Sequence, residues 1–527
     1  MTDVSSPAGA PPPVLRPHLP LGVVVAIACA ATFMVILDTT IVNVALPAMR
    51  DDLHLSTGSQ QWVVDAYLLT FGGLLLLAAR AGDLFGRRAV FQAGLVVFTL
   101  GSLVGGLAEN GTMLLVARAV QGVGAAALAP SSLSLILASQ HEPRQRDRAM
   151  ALWGVTAVSS GAIGVVLGGL LTEVLSWRWV LFVNVPIGVV LSVAVALCLL
   201  PARPVDGRGR LDLPGTVTVT AGLALLIYGI SRATEIGWGS AGVIGSLIAA
   251  GFLLAGFVAI EATSAQPLVR LDIFRLPNLR IANLLALGLG TCMTGPLFFL
   301  SLYLQQLLGY SALRAGLALL PMAIAMAVGT IAGRLLLGAG VKHIPVQGGV
   351  IGAVALLWLT QIPAHPAYLT HLLGPTLILG AGISVMLLPM TVAATAGVPH
   401  QDAGLASGLI NVSRQIGGAV GLAVLVSVAG SAASGASGRQ STAVAATLHG
   451  YHVAFLVMAG ISLLTAAGAA FLRLEPATPD PATPDPATSE PAAPELATPD
   501  PATPDPATSE PAAPELATPE LATPELA

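Results

Sequence analysis

The sequence predicts an all-α, polytopic membrane protein with fourteen spans, and three observations carry that expectation. Of 527 residues, 55% are hydrophobic and only 9% are charged, whereas a water-soluble domain carries about a quarter of its residues as charges. The apolar residues gather in runs of about 20, the length that crosses a bilayer as a helix. The basic residues concentrate in alternate connections between those runs, the pattern of a chain threaded repeatedly through a membrane.

Taken in order, the apolar runs cover residues 21–46, 59–79, 89–108, 112–138, 149–172, 179–200, 214–231, 240–260, 280–306, 313–336, 344–362, 369–395, 404–429 and 449–472. The first is too long for a signal-peptide core and has no small-x-small cleavage site after it, so it reads as a retained helix. Cys29, Cys198 and Cys292 each fall inside a run, far apart and without metal-ligand spacing. They read as small apolar packing residues.

Charge sets the expected orientation. With the N-terminus in the cytoplasm, 16 of the 23 basic residues lie in cytoplasmic connections, among them Arg80, Arg87, Arg88, Arg144, Arg146 and Arg148. Five lie outside (Arg50, Arg178, Arg232, Arg314, Arg439), and Arg118 and Arg414 lie within spans. That excess predicts an even span count, both termini cytoplasmic, in the cell inner (plasma) membrane.

The ends differ from the body. Residues 1–20 form a Pro-containing leader, expected to be disordered and cytoplasmic. From Glu475 onward the chain is almost wholly Pro, Ala, Thr and acid, and 481–500 repeats nearly letter for letter as 501–520. This tail, 475–527, holds 11 acids and no base and lacks core-forming residues, so disorder is expected. Between the ends the expected organisation is a six-helix bundle over 21–200, a linker with two extra spans over 201–262, and a second six-helix bundle over 263–474.

Several motifs stand out. After the second span comes Gly82-Asp83-Leu84-Phe85-Gly86-Arg87-Arg88, where glycines permit a sharp reversal and the charges can pair or meet a helix end. This segment resembles the loop signature of the major facilitator superfamily between its second and third helices, with Ala79 in place of that signature's leading glycine. Residues 37–47, Leu-Asp-Thr-Thr-Ile-Val-Asn-Val-Ala-Leu-Pro, resemble the signature of the fourteen-helix drug:proton antiporter branch. Arg118 through Gly124, Trp177-Arg178-Trp179 with Asn184-Val185-Pro186, and Ser407-Gly408 with Asn411, Arg414, Gln415, Gly417 and Gly418 resemble the same branch.

The resemblance implies the major facilitator fold, two six-helix bundles plus two inserted helices, and a gating loop of Asp83, Gly86, Arg87 and Arg88 that latches the halves. It also implies export of drugs, antiseptics or antibiotics against protons. One departure is Gly164-Val165-Val166-Leu167-Gly168-Gly169, where Val165 replaces the branch's proline. Gly164, Gly168 and Gly169, with Gly417 and Gly418 at the equivalent place in the second half, are expected to serve close helix contact. Packing alone could also explain them.

Charges inside a membrane are costly and therefore candidates for function. Asp38, Asp65 and Arg118 fall at similar depths, so two carboxylates and one guanidinium are expected to face a common cavity, leaving one negative charge whose proton occupancy a substrate could alter. Asp38 is the first choice for proton coupling, and Asp65 is placed nearer the water. A static Asp38–Arg118 pair is the alternative. Asn43, Gln121, Arg414 and Gln415 are the substrate or cavity candidates; Arg414 could equally be a structural arginine bonded to carbonyls.

Absences narrow the class. The single lysine, Lys342, follows Val341, so there is no Gly-Lys of a phosphate-binding loop. No Gly-x-Ser-x-Gly or His-Glu-x-x-His occurs, and the nine histidines lack metal spacing. The expected protein is no enzyme and uses no metal or cofactor, with the proton gradient as energy source. Its expected partners are a small-molecule substrate, protons and the lipid bilayer, with no nucleic acid and a monomer as the working unit. A nutrient importer on the same scaffold, or a receptor that transports nothing, stays open as an alternative.

Overall fold

The computed structural model describes residues 21–139, 142–198, 211–264, 267–399, 402–437 and 442–472. The leader and the acidic tail lie outside the described residues, as does most of the connection between the first bundle and the inserted pair. The membrane helices belong to the first of two units, Met1–Pro476.

Every regular element among the described residues is helical. The spans are α1 (Leu21–Leu53), α2 (Thr57–Phe85), α3 (Arg87–Gly106), α4 (Gly111–Ser139), α5 (Pro143–Val174), α6 (Trp179–Cys198) and α7 (Leu213–Ile236). They continue as α8 (Ala241–Thr263), α9 (Pro277–Leu307), α10 (Ala312–Gly338), α11 (Ile344–Leu359), α12 (Tyr368–Thr395), α13 (Ala403–Ser437) and α14 (Ala443–Ala469). Thirteen are apolar helices of 20 to 35 residues, and α11 is a shorter apolar helix of 16. The expected fourteen is met with that one short member. Because the spans alternate in direction, one face collects the arginine-rich connections and the other is arginine-poor.

Helix ends explain several boundaries that differ from the apolar runs. α1 continues through Pro47 and Arg50 to Leu53. α5 starts six residues before its apolar run, with Pro143 at a helix start that needs no N–H donor. α8 extends past its run to include Glu261, which is 3% exposed and accepts a bond from Val269 N at 2.9 Å. Glu261 is thus a buried acid that the sequence reading left outside the spans.

The two bundles repeat one packing scheme. In the first, α1 packs on α5, α2 and α3 on α4, and α3 on α6; in the second, α9 packs on α13, α10 and α11 on α12, and α11 on α14. Two seams join them, α5 against α10 and α2 against α13, again a matched pair. α7 packs on α8 and lies along the α2–α13 seam, where Gly73 admits Thr220. This is the parallel-repeat arrangement of two halves about an axis along the membrane normal.

Glycines make the close approaches. A Cβ on Gly168 would lie 2.7 Å from Ile41 O of α1, and one on Gly169 would lie 2.5 Å from Ala312 O of α10. In the second half Gly417 meets the backbone of Leu287 on α9, and Gly418 faces Thr294 of α9 and Leu68 of α2. The paired glycines of α5 and α13 therefore do equivalent work: each pair serves a helix of its own bundle and a helix of the other. Within lipid, where apolar surface gives helices little reason to associate, such backbone proximity supplies the dispersion contact. Val165 is 2% exposed within an unbroken α5, and its carbonyl would lie 2.5 Å from a Cβ on Gly316 of α10.

Candidate functional site

Asp38 lies in the interior of the first bundle with both carboxylate oxygens bonded. Arg118 Nη1 donates to Oδ2 at 2.5 Å. Gln121 Nε2 and Asn184 Nδ2 donate to Oδ1 at 3.0 and 2.9 Å. Arg118 is held in turn: its Nε donates to Val63 O at 3.0 Å, its Nη1 to Gln121 Oε1 at 3.0 Å, and its guanidinium stands 4.4 Å over the Tyr67 ring. Gln121 Nε2 also donates to Ser102 Oγ at 2.7 Å. Five helices, α1, α2, α3, α4 and α6, thus meet at one buried ion pair whose remaining donors and acceptors are largely matched.

Asp65 is separate from that network, which corrects the expectation that the three charges face one cavity. The reason is helical phase. Val63 and Tyr67, four residues apart, turn one side of α2 toward Arg118; Asp65, two residues from each, lies on the opposite side. Asp65 instead shares a face with Leu68, Gly72 and Leu76, which meet Gly418, Gln415 and Gly408 of α13. That face of α2 is the one that forms the seam with the second bundle. Asp65 is also fully buried, not nearer the water. Gln61 Nε2 donates to Oδ2 at 2.5 Å, while Oδ1 has no hydrogen-bond partner.

Asn43 and Gln121, expected as substrate or cavity residues, are both buried. Gln121 is 0% exposed and serves Asp38. Asn43 is 4% exposed; its Nδ2 donates to Thr39 O at 2.7 Å and its Oδ1 has no partner. Gln415 is also buried, its Cβ against Gly72. Arg414 is half-buried: Nη2 donates to Asn411 Oδ1 at 3.0 Å, and Nε has no partner. The carbonyl-bonded structural role considered for Arg414 is not the one its described hydrogen bond takes.

Pro47 gives α1 an unusual surface. Lacking an N–H, it leaves Asn43 O, four residues earlier, without its helical donor. Ser301 Oγ of α9 donates to that carbonyl at 2.9 Å, and Gln305 Nε2 donates to Val44 O at 2.9 Å and to Ser301 Oγ at 3.0 Å. At the neighbouring seam Glu173 Oε2, near the end of α5, accepts from Leu313 N in the first turn of α10 at 2.9 Å. A carboxylate at a helix N-terminus is favourably placed. These bonds between the bundles all lie toward the arginine-poor face.

At the arginine-rich face the expected gating loop bonds within its own bundle. Gly86 turns α2 into α3 at φ 91°, a conformation that favours glycine. Arg87 and Asp83 form an exposed pair at 3.7 Å, and Arg88 Nη2 donates to Ala196 O, near the end of α6, at 3.1 Å.

Sequence reasoning missed Asn184, Ser102, Tyr67 and Gln61 as members of these networks, and Ser301 and Gln305 as the bridge to α1. Asn184 lay within a quoted motif; the others carry no charge, so no cost argument singles them out. Among the described residues no group of three or more His, Cys, Asp or Glu side chains is arranged to hold a metal ion.

Comparison with known proteins adds lineage. The model of the Major Facilitator Superfamily matches residues 28–422. The cephamycin export protein CmcT of Amycolatopsis lactamdurans is 42% identical over 457 residues, covering 85% of this chain and 93% of that one. The puromycin resistance protein pur8 of Streptomyces alboniger is 40% identical, covering 83% and 88%. The lincomycin resistance protein of Streptomyces lincolnensis is 35% identical, covering 75% and 82%. Among solved structures, an auto-inhibited POT family peptide transporter superposes with a TM-score of 0.65 at 14% identity, over 88% of this chain and 98% of that one. That likeness is of fold alone.

Proposed function

The chain belongs to the major facilitator superfamily, and from that premise we propose that this multi-pass transporter exports small hydrophobic or amphipathic compounds (drugs, antiseptics or antibiotics) in exchange for protons. Export is supported by relatives about 40% identical along most of their length that are named for export of, or resistance to, antibiotics. The arginine distribution supports a cell inner (plasma) membrane location with the arginine-rich face and both termini in the cytoplasm. A single chain holds both bundles, so a monomer suffices.

The observation that carries the proton reading is Asp65. An ionised carboxylate with an unpartnered oxygen, sealed from water, costs free energy that uptake of a proton removes. Asp65 also lies where it must feel the bundles move, because its face of α2 is the face that meets α13. Asp38 is held by three donor contacts, one each from Arg118, Gln121 and Asn184, and Arg118 is itself fixed over the Tyr67 ring, which suits a fixed brace. The first choice for proton exchange therefore passes from Asp38 to Asp65, with Asp38 and Arg118 as positioning residues.

In the cycle, Asp65 binds a proton while the seam is open to the acidic side and releases it when rocking opens the seam to the cytoplasm. The clip from Ser301 and Gln305 to α1 and the Glu173 contact close the arginine-poor side, and the Asp83–Arg88 loop engages the second bundle when the arginine-rich side closes. The test is accumulation of a dye or antibiotic in inside-out vesicles from cells expressing the full chain. An imposed proton gradient, acidic inside, drives accumulation, and collapsing it abolishes accumulation. Accumulation insensitive to the gradient contradicts the proposal, as does proton-driven movement in the opposite direction.

A further inference from the structure

We infer that Arg414, with Asn411 and Ser407, forms an anion-binding pole for substrate, so that the favoured cargo is an amphipathic anion carrying a carboxylate or sulfonate. The inference rests on the export reading and names the class of its cargo.

Position on the helix comes first. Ser413 donates to Asn283 Oδ1 of α9 at 2.8 Å, Thr291 of α9 donates to Gly417 O at 2.8 Å, and Gly421 meets Thr291, so 413, 417 and 421 mark the α9-facing side of α13. Gly408 and Gln415 mark the α2-facing side, and Gly418 meets both helices, Thr294 of α9 and Leu68 of α2. With 3.6 residues per turn, positions 407, 411 and 414 fall between those two sides. They therefore turn toward the junction between a helix of the second bundle and a helix of the first, the junction that must open for a cargo to pass between the halves. Consistent with this, Asn411 is exposed and Ser407 and Arg414 are half-buried, although Arg414 stands 11 residues into the helix, about 16 Å from its end.

Charge comes next. Arg414 takes part in none of the ion pairs described, Arg118 with Asp38, Arg87 with Asp83, Arg178 with Asp52 and Arg270 with Asp402. Its described bond is to a neutral amide, and its Nε is unpartnered. No acid is available on α9 to α14 within the membrane: the second bundle's acids, Asp272 and Asp402, lie outside its spans. A guanidinium held at membrane depth without a counter-ion is costly, and an anionic ligand is the group that offsets the cost. Its planar fork fits a carboxylate or sulfonate through two parallel bonds.

The fold does not require this charge. Gly417 and Gly418 correspond in the repeat to Gly168 and Gly169, so Ser407, Asn411 and Arg414 correspond to Val158, Ala162 and Val165 on α5. The same packing position is apolar in the first half and polar in the second. The polar strip is therefore an addition to the scaffold, and it carries a positive charge that the first half lacks at the equivalent position.

The test uses full-length protein in proteoliposomes with an imposed proton gradient and two amphipathic dyes, the anion 8-anilinonaphthalene-1-sulfonate and the cation ethidium. The wild type is expected to transport the anion, and Arg414→Gln to lose that transport by about tenfold or more, the scale of one charge-assisted contact. Arg414→Lys keeps the charge and is expected to retain a substantial part. Retained ethidium transport in Arg414→Gln, or an unchanged thermal unfolding midpoint if ethidium is not carried, shows the variant is folded. Transport of ethidium alone by the wild type, or anion transport undiminished in Arg414→Gln, would overturn the anion pole and leave export standing. Transport of neither dye would overturn the export reading and this inference with it.

Discussion

Arg118 and Asp38 meet at 2.5 Å with side chains 2% and 0% exposed, and five helices depend on their contact. Removing one partner of such a pair strands the other, at a cost of about 3 to 5 kcal/mol. Arg118→Ala is therefore expected to lower the thermal unfolding midpoint sharply in detergent. Asp38→Asn/Arg118→Gln, which removes both charges and keeps hydrogen-bonding groups, is expected to recover part of the loss. A double variant no more stable than Arg118→Ala would contradict the brace.

The clip between α9 and α1 should set the balance between closed and open forms of the arginine-poor side. Ser301→Ala/Gln305→Ala deletes two hydrogen bonds between bundles, each worth roughly 0.5 to 1.5 kcal/mol. A shift of about tenfold or more toward the open form is expected. Nitroxides at Asp51→Cys and Ala445→Cys, at the arginine-poor ends of α1 and α14, report it as growth of a longer-distance population in pulsed electron resonance. An unchanged distance distribution would remove the clip from the gate.

The packing glycines should divide by what they face. Gly168→Ala presses a Cβ toward Ile41 O and Gly417→Ala presses one onto Leu287, so each is expected to destabilise by about 1 to 3 kcal/mol. Gly154 on the same α5 has nothing within 4 Å. Gly154→Ala is expected to be neutral or to stabilise by up to about 1 kcal/mol, through helix propensity. Unfolding midpoints of the three single variants decide this, and equal effects would show that helix flexibility, not contact, is why glycine stands there.

Much of this architecture was legible in the sequence because bilayer crossing is written in run length and loop charge. The equivalence of Gly168-Gly169 and Gly417-Gly418 was legible for the same reason, since the repeat preserves spacing. The Asp38–Arg118 pair followed from matching depth. Depth, however, says nothing about direction: Asp65 shares the layer yet turns away, because Val63 and Tyr67 already face Arg118. Partners of the carbonyls near Pro47 were hidden for another reason. The proline announces an unbonded Asn43 O, but Ser301 is 258 residues distant and is an ordinary serine by type. Glu261 escaped because the apolar run stopped one residue short of it.

The central claim is that the proton is carried by Asp65, on the seam, and not by the braced Asp38. The direct measurement is substrate movement in proteoliposomes bearing Asp65→Asn, assayed once with a proton gradient and once as gradient-free exchange of labelled for unlabelled substrate. The account predicts that gradient-driven accumulation is lost while exchange persists and no longer varies with pH. Gradient-driven accumulation by Asp65→Asn at the wild-type level would contradict it.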